Sequence, residues 1–161
     1  AHVREYAHLL ENDPVYPVKA ARVTLLTRDI GEVIAAEKEG LMALLQKSAP
    51  GGRRTIAFHA PCSLQHGQKL KGGVEQHLSA MGFTVMVAKN EAHLCCGSAG
   101  TYSVLNPTLS YQLRDRKLGH LAPLDAQAIV SANIGCIQHL QTGTRTPVKH
   151  WIEVLDELLG H

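Results

Sequence analysis

The strongest constraint on the fold of this chain begins at Thr55, where short β-rich runs alternate with helical stretches and a cysteine follows each of the first three runs. Residues 55–60 (TIAFHA), 84–89 (TVMVAK) and 128–133 (AIVSAN) read as strands, being short, apolar and rich in β-branched residues. Between them, residues 68–81 read as a helix stopped by Gly82, and residues 103–118 as a second helix with Gly119 after it. A short helix over 136–141, a fourth strand at 147–150 and a final helix over 151–159 complete the pattern. Such alternation predicts an α/β fold, a parallel sheet of about four strands flanked by helices in Rossmann-like layers.

The upstream part reads differently. Asp13-Pro14 is a helix-start signal, Asp as cap and Pro at the first helical position, for a helix reaching about residue 27. Ile30, Val33, Ile34, Leu41, Leu44 and Leu45 recur at the spacing of one helix face and predict a helix over 29–47. The Pro/Gly-rich string SAPGGRR at 48–54 then separates an N-terminal helical arm, residues 1–50, from an α/β domain, residues 51–161. A chain of 161 residues forms one compact unit of this kind.

Cys62 follows the first strand, Cys95 and Cys96 the second, and Cys136 the third. The carboxyl ends of the strands in an open parallel sheet line one edge, and ligands bind in the crevice between the loops there. The topology therefore brings the three cysteine groups to one place. Taken singly, each cysteine reads as a small buried hydrophobe. Packing alone gives no reason for all four to follow strand ends, and Gly97, Gly100 and Gly135 supply tight turns beside them. Adjacent cysteines rarely bridge one another, because the geometry of a disulfide is hard to meet between neighbours. No apolar run reaches the ~18 residues of a membrane span, and the first residues lack the basic-then-apolar pattern of a signal peptide. The expectation is a cytoplasmic chain with reduced thiols, for which metal binding is favoured over a disulfide framework. Four thiolates suit zinc or an iron-sulfur cluster.

A net charge of +2, with Arg53-Arg54 the main basic pair, argues against nucleic acid as a partner. CCGSAG at 95–100 matches neither dinucleotide nor P-loop fingerprints. Of ten histidines, His59, His66, His93 and His139 lie near cysteines. His139 follows Cys136 by three residues, one helical turn, so both can face one metal. His59, His66 and His93 are candidates for donating hydrogen bonds to sulfur.

The strings HAPCSLQHGQ (59–68), HLCCGSAGTYSVL (93–105) and SANIGCIQHL (131–140) resemble the cysteine-rich CCG domain, a module shared with the heterodisulfide reductases. With the terminal PVKHWIEVLDELL they are similar, more closely, to the C-terminal part of the iron-sulfur subunit of glycolate oxidase (glycolate dehydrogenase). The resemblance implies an iron-sulfur cluster, of 4Fe-4S type, on Cys62, Cys95, Cys96 and Cys136. It implies an electron-transfer component of an oxidoreductase complex, not itself catalytic on substrate, that carries electrons from a flavin-containing subunit toward a quinone or another membrane-side acceptor. The implied partners are the flavin-containing glycolate oxidase subunits and upstream ferredoxin-like and first CCG segments of the same protein. The implied location is the cytoplasm, at the inner face of the membrane only through the complex. The fullest family pattern ends in Cys-x-x-Cys, whereas this chain has Cys136-Ile-Gln-His139, which counts against a five-cysteine noncubane cluster. A structural zinc module for subunit docking stays open as the alternative, because zinc accepts Cys₄ or Cys₃His. An exposed cluster is easily lost, so an isolated fragment is expected to hold its sulfurs near one another even when empty.

Overall fold

Strands β1 (Thr55–His59), β2 (Thr84–Met86), β3 (Ala128–Ser131) and β4 (Val148–His150) form an all-parallel sheet in the order β2-β1-β3-β4, in a computed structural model that describes residues 2–48, 54–67 and 72–160. Ala57 lies opposite Ile129, and His59 opposite Ser131. The central strands β1 and β3 are buried along nearly their whole length, which is why they read as unbroken apolar runs. From β1 the chain winds to one side to form β2, then returns past β1 to form β3 and β4. The winding reverses between β1 and β3, and the carboxyl ends of those two strands flank the resulting crevice.

The helices that follow the strands are α5 (Gly73–Ala80), α6 (Tyr102–Leu105), α7 (Pro107–Leu121), α8 (Ile134–Gln141) and α9 (Trp151–Leu159). On one face Ala57, Ile129 and Val148 pack with Leu118 and Leu121 of α7 and Ile137 and Leu140 of α8. Cys96 and Cys136 belong to that same buried cluster. Each such Leu or Ile, fully buried, stabilises the fold by roughly 1.5–3 kcal/mol. Alternation along the strands sends Ile56 and Ala128 to the opposite face, where they line one cavity with Val154 of α9. Helix α9 starts on a reciprocal cap, in which the His150 ring accepts from the Ile152 amide and Glu153 returns to the His150 amide.

The backbone contacts divide the chain between Lys38 and Glu39. The first unit holds α1 (Tyr6–Leu9), α2 (Pro17–Leu26) and α3 (Ile30–Ala36). Within it Thr24 Oγ1 accepts from the Ala7 amide at 3.0 Å, and Arg4 pairs with Glu32. The helix α4 (Lys38–Ser48) falls almost entirely in the second unit.

Several boundaries differ from the sequence expectation for local reasons. The helix expected from residue 14 begins at Pro17, because the Asp13 carboxylate accepts from the Val15 and Tyr16 amides, both at 2.8 Å, and closes a turn first. The single helix expected over 29–47 is two, α3 capped by Asp29 and Glu32, then α4 after a break at Glu37. The helix expected over 103–118 divides at Asn106, since Pro107 has no amide hydrogen to continue the ladder, and α7 then runs through Gly119 to Leu121. Helix α8 starts at Ile134, two residues early, where Asn133 caps it. Of the helix expected over 68–81, residues 68–71 lie outside the described residues, as do residues 49–53 of the Pro/Gly-rich break.

Candidate metal centre

Each cysteine is set by the element it follows. After β1, Pro61 accepts from the Leu64 and Gln65 amides and opens a π-helical turn, Ser63–Gly67, that buries Leu64 and leaves Cys62 exposed. After β3, the Asn133 side chain accepts from the Cys136 amide at 3.2 Å, which places Cys136 in the first turn of α8. Its amide group also donates to Ser63 Oγ at 3.4 Å and links the loops that follow β1 and β3. Cys95 and Cys96 sit in the long loop after β2, Cys95 half-buried and Cys96 1% exposed.

That loop is held to α7 at two points. Glu91, at φ 51°, takes two hydrogen bonds from Arg116 and one from His120 Nε2 at 2.9 Å. The Lys117 ammonium, buried beneath it, donates to the carbonyl oxygens of Glu91 at 2.7 Å and Ala92 at 3.2 Å. Further on, the Gly97 amide donates to Cys95 Sγ at 3.3 Å, and the Ser110 hydroxyl donates to the Gly97 carbonyl at 2.8 Å.

All four cysteines line one cleft of about 220 Å³ together with Pro61, Ser98 and Asn133. The sulfurs of Cys96 and Cys136 are 2.9 Å apart. With Cys136 holding the proton between them, the hydrogen bond to Cys136 holds the Cys96 thiol well below the usual range, and His59 and the Ser98 amide act in the same sense. Cys136 is correspondingly pushed up by that bond and by burial. Partial burial and the neighbouring Cys95 raise Cys62. Thiols this close oppose one another's ionisation, and a cation among them removes the opposition. The donor set, four sulfurs with a ring nitrogen beside them, fits a soft metal or an iron-sulfur cluster.

The four candidate histidines part company. His59 is buried, and a ring nitrogen lies within 4.8 Å of the sulfurs of Cys96 and Cys136, which also lie within that distance of each other. His66 and His93 are exposed and do not line the cleft. His139, on the same helix as Cys136, reaches instead toward α7. Its Nε2 lies 3.0 Å from Ser110 Oγ and 3.2 Å from the Ser110 carbonyl, and its ring stacks on Tyr111 with centroids 5.8 Å apart. Because the Ser110 hydroxyl is already donated to Gly97, Nε2 carries the proton here and donates to Ser110.

A match to the family model described as cysteine-rich domain, CCG, covers residues 56–141. The chain belongs to the CCG cysteine-rich domain family. The matched span contains all four cysteines and the β1–β3 crevice of this CCG domain. Among curated proteins, the chain is 45% identical to the glycolate oxidase iron-sulfur subunit of Escherichia coli, over 99% of this chain and 37% of that protein. It is 28% identical to lactate utilization protein A of Geobacillus kaustophilus, over 97% of this chain and 65% of that one. It is 25% identical to the probable glycolate oxidase iron-sulfur subunit of Bacillus subtilis, over the whole of this chain and 37% of that protein. The chain thus spans less than two thirds of each of these relatives. Among the described residues no helix is long and apolar enough to cross a membrane.

Sequence reasoning missed Lys117, Glu91, Ser110 and Asn133. Lys117 carries a faint signal, since it shares the buried face of α7 with Ser110, Leu118 and Leu121. Burial lowers its pKa, opposed by the charges of Cys96, Glu91, Cys62 and Cys95, so it is the cation that the cysteine loop faces.

Proposed function

We propose that this chain is the electron-transfer part of a complex that oxidises a 2-hydroxy acid, with an iron-sulfur cluster, of 4Fe-4S type, held by Cys62, Cys95, Cys96 and Cys136. The observation that carries the reading is the convergence of all four cysteines on one cleft at the carboxyl edge of the sheet. The names of the relatives, glycolate oxidase iron-sulfur subunit and lactate utilization protein A, support a 2-hydroxy acid as the substrate class, with glycolate favoured by the more similar of those compared above.

When bound, such a cluster supplies one-electron redox chemistry. The residues of this chain do the rest. Cys96 and Cys136 form the buried floor, while Cys62 and Cys95 form the lip open to a partner. The Gly97 amide donates to Cys95, and the buried Lys117 ammonium lies under the loop that carries Cys95 and Cys96, a positive charge that favours the more negative, reduced state. The donor is a flavin-containing subunit, which carries out the hydride chemistry, and the acceptor a quinone or another membrane-side carrier. The setting is the cytoplasm, at the inner face of the membrane through the complex.

A second reading, a structural zinc module, is favoured by the compact group of His59, Cys96 and Cys136, a set zinc accepts. Anaerobic reconstitution of the full-length protein separates the two. Iron and acid-labile sulfide, broad visible absorption and a paramagnetic signal on reduction are expected, and loss of all of them in Cys96→Ser and Cys136→Ser. Zinc without iron or sulfide would overturn the electron-transfer reading.

A further inference from the structure

The position of His59 is set by a rigid element. It is the last residue of β1, in register with Ser131, whose hydroxyl donates to the His59 carbonyl at 2.9 Å. Strand alternation directs its ring to the face of Ala57, the face that α7 and α8 cover and in which Cys96 and Cys136 are packed. His59 is 3% exposed, and Nε2 is enclosed without a hydrogen-bond partner. Buried polar nitrogens are almost always paired, so an enclosed and unpartnered one marks a place where something else binds. A ring nitrogen of His59 and the sulfurs of Cys96 and Cys136 lie within 4.8 Å of one another. One ion at about 2.0–2.3 Å from each donor spans a group of that size.

We propose that His59 is a protein ligand of the metal centre, bound through an imidazole nitrogen at the buried floor beside Cys96 and Cys136. The helical spacing Cys136 to His139 points to a different histidine, but His139 Nε2 is committed to Ser110. This inference rests on the reading of the cleft as an iron-sulfur site. Added to the four thiolates, a neutral imidazole leaves a cluster less negative than a fifth thiolate in its place would, which raises the reduction potential and suits this centre to accepting electrons.

The test uses the full-length protein labelled with ¹⁵N-histidine, reconstituted with iron and sulfide without oxygen, reduced, and examined by pulsed electron paramagnetic resonance. A directly bonded nitrogen coupling that takes the ¹⁵N pattern is expected, retained in His139→Gln and absent from His59→Cys. His59→Cys is chosen because it keeps a small ligand in a buried place, and it should keep its iron while its midpoint potential falls. A cluster without bonded nitrogen in the unmodified protein overturns the inference and leaves the electron-transfer reading intact, whether or not His59→Cys folds. Persistence of the coupling in His59→Cys also overturns it. If neither iron nor sulfide is retained, the electron-transfer reading fails instead, and Co(II) serves as the probe of His59. Visible bands that shift in His59→Cys then support ligation, and unchanged bands exclude it.

Discussion

The Ser110 hydroxyl donates to the carbonyl oxygen of Gly97 at 2.8 Å, and so ties the turn just past Cys95 and Cys96 to the first turn of helix α7. Gly97 is at φ 90°, and a Cβ there would lie 2.3 Å from the Ser110 carbonyl oxygen. Both the backbone conformation and the approach of α7 therefore require glycine. Gly97→Ala should destabilise the protein by about 2 kcal/mol or more, from the strain of a side chain at positive φ and the displaced contact. Urea unfolding measures the loss, and iron content should fall with it because Cys96 is adjacent. Unchanged stability would show that the turn is not held this way.

His139 supports the same turn from the far side, through Ser110. His139→Ala removes one partly buried hydrogen bond and a ring stacked on Tyr111, at a cost of about 1 kcal/mol. Iron stoichiometry should be unchanged. Loss of the metal from a protein that is folded by circular dichroism would instead make His139 a ligand.

Lys117→Met replaces a buried ammonium by an apolar chain of similar length and leaves the carbonyls of Glu91 and Ala92 without their donor. Stability should fall by about 1–3 kcal/mol, the range for an orphaned buried group. With positive charge removed near the sulfurs, the midpoint potential of the reconstituted protein should also fall. A drop in stability with an unmoved potential would confine Lys117 to holding the loop.

Glu91 gives the loop a pH dependence. Hydrogen bonds from Arg116, and then from His120, hold its carboxyl below the usual carboxylate range. A depressed folded-state pKa contributes stability that is fully present above the unfolded value of about 4.3 and is lost as pH falls through the lower folded value. The protection of the Leu94 amide, whose N–H is bonded to the Glu91 carbonyl, should therefore fall, relative to the exchange rate of an unstructured amide at the same pH, as pH drops below about 4. In Glu91→Gln the acid step should vanish. A step of equal size in that variant would assign it to another carboxylate.

The layered fold was legible in residues 55–60, 84–89 and 128–133 because buried parallel strands need apolar runs on both faces, and a chain that alternates these with helices has few other ways to bury them. The convergence of Cys62, Cys95, Cys96 and Cys136 on one edge followed from the same pattern, since strand direction alone decides on which edge the loops lie. What lies within those loops was not legible. Asp13 closes a turn before it can start a helix, and Pro107 divides a helix that apolar spacing makes continuous; both are local competitions between similar energies. Along the chain His139, one helical turn from Cys136, was the candidate ligand, and His59 only a candidate donor to sulfur. The packing of α7 separated them, because Ser110 takes His139 while the pleat of β1 carries His59 inward to the sulfurs of Cys96 and Cys136. Lys117 reads as one more charge in a polar helix until the β2 loop folds over it and supplies two carbonyl oxygens from 25 and 26 residues away. The sheet and the edge on which the cysteines gather were thus written in the order of residues, because periodicity and strand direction are properties of near neighbours. Which histidine turns to the sulfurs, and which cation lies beneath the loop, depended on the folded packing, because those contacts join partners distant in the chain.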